Sequence, residues 1–270
     1  MSFISKKIWL KTGLLLFING MLLSGVFHFR TESKYEDAIF GSIVDKIRED
    51  AGESKSIDSF FLASMRMAHQ LEYSRQAIFS GRRLESLKAT FFRPATVDLM
   101  TGDGACGSYS TVLARILKAG GYKVRIAHMT VKGQKGGHMV VEARKNDHNW
   151  IVMDPLLLQY FKKPDGSLAS FKDVQQNWAY YQKQTNSSYI QDYQYEAAEY
   201  TNWNKIPLIG AAIERSMEPV LGKEKTKEIS IRSFILRKYN FLYLLNLFAL
   251  FACSTLLAYT LYVNRKKFTT

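Results

Sequence analysis

The sequence predicts an α+β domain set between two membrane-spanning helices. Three observations carry that expectation. Two uncharged apolar runs lie towards the two ends of the chain. Helical and strand periodicities share the stretch between them. In the middle of that stretch a cysteine at a helix start is followed by a histidine strand and an Asp-Pro strand.

The 270 residues are 47% hydrophobic, 13% aromatic and 23% charged, too apolar for a chain disordered in its main state. The length suits one core of ~150–200 residues with additions. With no internal period, ordinary glycine and proline content and two cysteines, repeat, collagen-like and disulfide-scaffold classes are excluded. The net charge of +13 would suggest nucleic acid until it is located. Lys6, Lys7, Lys11, Arg30, Arg265, Lys266 and Lys267 flank the apolar runs with no acid among them. Setting those seven aside leaves 30 basic against 24 acidic side chains. Membrane topology accounts for that placement better than a phosphate-binding surface, so no nucleic-acid partner is expected.

Residues 1–30 read as a tail and first span, with Thr12 to Phe29 free of charge. A secretory signal would also begin with Lys6 and Lys7, but a clean small-x-small cleavage site is lacking, and an uncleaved anchor is the reading. Phe241 to Val263 carries no charge over the length a bilayer needs and forms the second span, with 264–270 a basic tail. Basic residues at the loop-facing ends match those at the outer ends. The positive-inside rule weakens for long translocated loops, so the two short basic tails decide: both termini are cytoplasmic and the central domain is extracytoplasmic.

Within the loop, 31–57 reads as a juxtamembrane helix and linker, with Tyr35, Ile39, Ile43, Val44 and Ile47 at helical spacing and a break at AGESKS. Asp58 to Phe79 forms a helix with Phe61, Leu62, Met65, Ala68 and Leu71 inward, and Leu84 to Phe92 a further one stopped by Pro94. From Tyr109, the residues Val112, Leu113, Ile116 and Leu117 keep one helix face, and Gly120-Gly121 end it. Thr101 or Asp103 serves as N-cap, which puts Cys106 in the first turn. There the unpaired N–H groups and the helix dipole favour a thiolate. Small neighbours, Gly104, Ala105, Gly107 and Ser108, leave its sulfur approachable, and Cys253 in a membrane span is no disulfide partner.

Residues 138–144 alternate as a strand, Lys145-Asn146-Asp147 turns, and Trp150 to Asp154 returns as a second strand. A three-residue loop centred on Asn146 sets His138 opposite Asp154, Val140 opposite Val152 and Glu142 opposite Trp150. Opposed Cβ atoms stand ~4.5–5.5 Å apart, within reach of a carboxylate-to-imidazole bond. A thiol, a histidine and an orienting carboxylate form a nucleophile–base–orienter set. His128, His138 and His148 recur evenly but sit on different elements without an acidic or cysteine cluster, so neither metal nor cofactor is expected.

The blocks GACGSYSTVLARILKAGGYKVR, GGHMVVEA and NWIVMDP together resemble the transglutaminase-like superfamily, over roughly Asp58 to Trp178. The resemblance implies a papain-like core, a Cys-bearing helix packed on an antiparallel sheet bearing His and Asp, at 58–178. It implies Cys106 as nucleophile, His138 as base and Asp154 as orienter of an acyl transfer from a peptide or protein amide, to water (peptidase or amidase) or to an amine (transglutaminase). Hydrolysis is favoured, since water is always present. The alternative is a catalytically silent transglutaminase-like envelope protein that binds a peptide or a membrane-complex partner. Residues 179–240 form a Tyr-rich helical extension, its aromatics either packed on the domain or lining a wall for a peptide or glycan. Asn186-Ser187-Ser188 is a glycosylation sequon, and Glu214 to Lys238 reads as one charged helix leading to the second span.

Overall fold

A computed structural model describes residues 3–50, 56–79, 93–144, 149–185, 187–201, 203 and 210–269. The chain divides into two units, Met1–Glu36 with Arg237–Thr270, and Asp37–Leu236. Helix α1 (Phe3–Asp50) carries the first apolar run, and the last helix, Lys238–Thr269, carries the second. Both are long and apolar enough to cross a membrane. Leu14, Phe17, Phe248 and Phe251 lie exposed along them, as side chains facing acyl chains would. Within this unit Asn19 ties the helices together, accepting from Ser254 Oγ at 2.6 Å and donating to Cys253 Sγ at 3.2 Å. Gly25 makes the approach possible, since a Cβ there would stand 2.6 Å from Asn246 Oδ1.

The second unit is the α+β domain. After α2 (Ile57–Phe79), the short α3 (Ala95–Thr101) and α4 (Ala105–Ala119), the chain enters an antiparallel sheet of β1 (Lys123–Val131), β2 (Gln134–Arg144), β3 (Ile151–Asp154), β4 (Gln159–Tyr160) and β5 (Ala198–Glu199). The strand order is β4-β3-β2-β1-β5. Alternation along the strands divides the residues between two buried faces. Ile126, Val141, Ala143 and Met153 meet α4 through Val112, Leu113, Ile116 and Leu117, with Phe61, Met65 and Ala68 of α2 and Phe40, Val44 and Ile47 of α1 behind. On the other face Ala127, Met129, Val140 and Val152 meet Phe161, Phe171, Val174 and a set of tyrosines. Helix α4 stops as expected: Gly121 takes φ +92°, Tyr122 N–H bonds Leu117 O at 3.0 Å, and Gly121 N–H bonds Lys118 O at 3.2 Å. That is a Schellman motif, which a Cβ at 121 would strain.

Several expectations need correction. Tyr35 and Ile39 are exposed, because the buried stripe of α1 runs through Phe40, Val44 and Ile47 instead. In α2 the fully buried polar residues Ser64 and Glu72 share the inner face with Phe61, Met65 and Ala68, while Leu62 and Leu71 are half-buried. The N-cap of α4 is Gly104. Thr101 is occupied closing α3, donating to Val97 O at 2.8 Å, while its hydroxyl accepts Asp103 N–H at 3.3 Å. Glu214 to Lys238 is broken into α5 (Gly210–Leu221), α6 (Lys223–Lys227) and α7 (Ile231–Phe234). Gly222, at φ +83°, ends the first of these. The expected Leu84–Phe92 helix, the 145–147 turn, His148 and the sequon's Asn186 lie outside the described residues.

The hairpin register also differs. Val141 pairs with Met153, Glu142 with Val152 and Ala143 with Ile151. Continuing that ladder puts Asp154 across from Val140, two residues from His138, because the connection after the last paired residues is longer than a three-residue loop. A slip of two keeps both side chains on one face, where a slip of one would have separated them.

Candidate active site

Cys106 enters the site at the second position of α4. Its approach is built from small residues under constraint. A Cβ on Gly104 would stand 2.9 Å from the Arg93 guanidinium and 3.2 Å from Ser108 Cβ, and one on Gly107 would touch Met139 Sδ at 3.6 Å. Ala105, immediately before Cys106, holds φ +45°. A left-handed conformation costs a non-glycine residue on the order of 1–2 kcal/mol, so the chain is strained where it delivers the thiol.

His138, at 1% exposure, and Asp154, wholly buried, meet on the tyrosine face of the sheet. The imidazole Nε2–H donates to Asp154 Oδ2 at 2.7 Å. The diagonal offset between neighbouring strands, with ~7–8 Å between their positions, is spanned by the length of the histidine. With Nε2 engaged, Nδ1 is the nitrogen left for Cys106, and His138 and the Met139 backbone N–H both act on the sulfur to favour its anion. Asp154 is fixed in turn: Oδ1 accepts from Leu156 N at 3.1 Å and Leu157 N at 3.3 Å, and Oδ2 also accepts from Tyr189 Oη at 3.2 Å. The structure therefore brings all three expected residues together.

The electrostatics follow from that contact. Burial opposes ionisation of Cys106, but the hydrogen bond and positive charge of His138, with the Met139 N–H, outweigh it and hold the thiol below its ordinary value. Burial likewise opposes charging of His138, yet the bonds to Asp154 and Cys106 push it up to about 9. Both shifts favour a negative sulfur beside a positive imidazole.

Other residues join this site that the sequence reading left unassigned. Tyr193 lays its ring on His138 with centroids 4.2 Å apart. Tyr195 Oη lies 2.9 Å from Tyr189 Oη, continuing the chain from Asp154. Its ring packs on Phe171 at 4.9 Å and Phe161 at 5.2 Å, so much of the Tyr-rich extension packs on the domain. His69 of α2 donates from Nδ1 to Pro155 O at 2.9 Å, steadying the turn after Asp154. Beneath Cys106, Ser108 Oγ donates to the buried Glu72 carboxyl, and Arg93 pairs with Asp98. Burial, offset partly by Ser108, pushes Glu72 up to about 8, which favours its neutral form. Arg125 lies between Trp150 and Tyr200 at 4.2 and 4.1 Å and bonds Glu142 at 2.8 Å, a buried strut of the sheet. Among the described residues no group of three or more His, Cys, Asp or Glu converges as metal ligands would.

Residues 68–155 match the family model of the transglutaminase-like superfamily. That segment runs from the middle of α2 through Asp154-Pro155 and holds the three residues just described. No curated protein matches the chain. No solved structure matches it either.

Proposed function

We propose that the transglutaminase-like core at 68–155 performs thiol acyl chemistry on an amide, with hydrolysis as its outcome. The observation that carries the reading is His138 held between the Cys106 sulfur and the Asp154 carboxylate. The Cys106 thiolate attacks the amide carbonyl, forming the S–C bond. The Cys106 N–H, in the first turn of α4 and too early for a helical i−4 acceptor, stabilises the developing oxyanion, while the Gly107 and Ser108 N–H groups are engaged by Gly104 O. His138 gives its Nδ1 proton to the leaving amine as the C–N bond breaks. Water then attacks the thioester, surrendering a proton to His138, and the acid leaves as Cys106 is regenerated. Asp154 keeps the proton on Nε2 and stabilises the imidazolium. The substrate is a peptide or protein amide outside the membrane that the two apolar helices span, and an impermeant protease acting on intact cells would cut between Arg30 and Asn240 if the domain faces outward.

The test is the pH dependence of Cys106 alkylation by iodoacetamide in the full chain in detergent. The rate should inflect below the ~8.5 of an unperturbed cysteine, and His138→Ala should move the inflection upward. An ordinary inflection unmoved by that substitution would overturn the acyl-transfer reading and favour a silent binding domain.

A further inference from the structure

Arg232 stands beside the nucleophile with no ion-pair partner of its own among the described residues. Its helix is firmly seated. Ser230 Oγ accepts the Ile126 N–H at 3.3 Å, Ile231 N–H donates to Thr201 Oγ1 at 2.9 Å, and Leu236 is buried against the α4 core. From that base the guanidinium reaches Met139, with Nη1 3.7 Å from Sδ. Met139 adjoins the cysteine, since its thioether lies against Gly107, the residue after Cys106. One thioether therefore separates the guanidinium from the nucleophile's surroundings.

A thioether is a weak acceptor, so most of the five guanidinium donors remain uncommitted. The residue is open to solvent. Asp98, the nearby acid whose charge it feels, is already paired with Arg93. Partial enclosure lowers the Arg232 pKa, and it keeps its charge at neutral pH.

We infer that Arg232 is a specificity-determining residue that binds a carboxylate carried by the substrate close to the reacting carbonyl. This rests on the thiol chemistry proposed above. A planar fork of donors suits a carboxylate bidentately, which neither a neutral amide nor a methylene can reproduce. Two sources share that chemistry, the C-terminal carboxylate of a peptide and an acidic side chain next to the scissile bond.

The experiment compares alkylation of Cys106 by iodoacetate and by iodoacetamide, in the full chain and in Arg232→Ala and Arg232→Lys. The iodoacetate-to-iodoacetamide rate ratio should fall about 10- to 100-fold in Arg232→Ala, the range of a charge-assisted hydrogen bond. It should recover in part in Arg232→Lys, which restores charge without the fork. The neutral reagent reports in each variant that the site is still assembled. An unchanged ratio while iodoacetamide still reacts at its lowered pH inflection overturns the inference and leaves the thiol chemistry standing. Failure of both reagents to modify Cys106 in the wild type overturns both. In a second arm, acetyl-Ala-Ala with a free C-terminus and amide-capped acetyl-Ala-Asp compete against iodoacetamide. Stronger protection by the first assigns the C-terminal carboxylate, stronger protection by the second the side chain. Protection by neither overturns the assignment to a substrate.

Discussion

The face of the sheet that meets α4 is packed by mostly aliphatic apolar side chains from three helices, whereas the opposite face also carries tyrosines, two of whose hydroxyls reach buried carboxylates. On the first face Leu113, Ile116, Val141 and Met153 are wholly or almost wholly buried and carry no polar side-chain atom. On the second, Asp154 accepts from Tyr189, and Glu142 accepts from Tyr200 Oη at 2.6 Å. The first face stabilises by removing apolar surface from water, a term indifferent to direction. The second stabilises through bonds that also set which proton sits on which atom. The two faces should therefore fail differently: one by unfolding, the other by losing chemistry while the fold survives.

The largest expected effect sharpens that contrast from the tyrosine side. Asp154→Asn keeps the shape and most hydrogen bonds, but its amide favours the wrong His138 tautomer and cannot stabilise an imidazolium. Turnover of an amide substrate should fall by about 10⁴ with the thermal unfolding profile nearly retained, as steady-state rates and circular dichroism would report. The same variant should return the Cys106 alkylation inflection towards that of an ordinary thiol, since His138 would no longer be held at about 9. A loss of fold together with activity would erase the distinction between the faces.

Next comes the aliphatic side. Leu113→Ala should cost about 2–5 kcal/mol of unfolding free energy, through lost burial and the cavity left behind. In the fraction that stays folded, the Cys106 inflection should be unchanged, because Leu113 lies about two turns along α4 from Cys106, in the apolar cluster. Denaturant unfolding alongside alkylation of the folded protein measures both. A shifted inflection would show that packing on α4 tunes the thiol directly.

The smallest effect probes the link between the two. Tyr189→Phe removes one hydroxyl donor from Asp154 Oδ2 and leaves Tyr195 without its partner. Stability should fall by about 1–3 kcal/mol and turnover by roughly tenfold, far less than for Asp154→Asn, because Leu156 and Leu157 N–H groups still hold the carboxylate. Turnover losses as large as those of Asp154→Asn would make Tyr189 part of the proton path rather than a support.

The aliphatic face is also the part most legible in the sequence. Val112, Leu113, Ile116 and Leu117 announce a helix by their spacing, and Gly120-Gly121 its end, because both signals are local. Cys106 at a helix start was readable for the same reason, although the cap proved to be Gly104 with Thr101 committed to α3. The α+β class and the meeting of His138 with Asp154 came through, but their register did not. It depends on loop length, and the side-chain period of two hid the error by returning both residues to one face. The Tyr189–Asp154 and Ser108–Glu72 bonds join positions 35 and 36 residues apart, and no local pattern encodes such pairings. Glu72 was findable: Phe61, Met65, Ala68 and Glu72 fall at i, i+4, i+7 and i+11, one stripe of α2, and a carboxylate on that stripe marks an acid the fold must bury.

The left-handed Ala105 has an entropic consequence. Gly102 and Gly104 leave the approach to α4 free to wander in the unfolded and partly opened chain. The methyl group at 105 adds a restraint to that stretch, and it restricts the same backbone that carries the sulfur. Glycine at 105 would relieve the strain but return conformational freedom to the unfolded state, two effects of about 1 kcal/mol that largely cancel in stability. They do not cancel in geometry. With three of four consecutive residues glycine, the sulfur would sample many positions around His138 rather than one, so the methyl narrows the thiol's search more than it strengthens the fold.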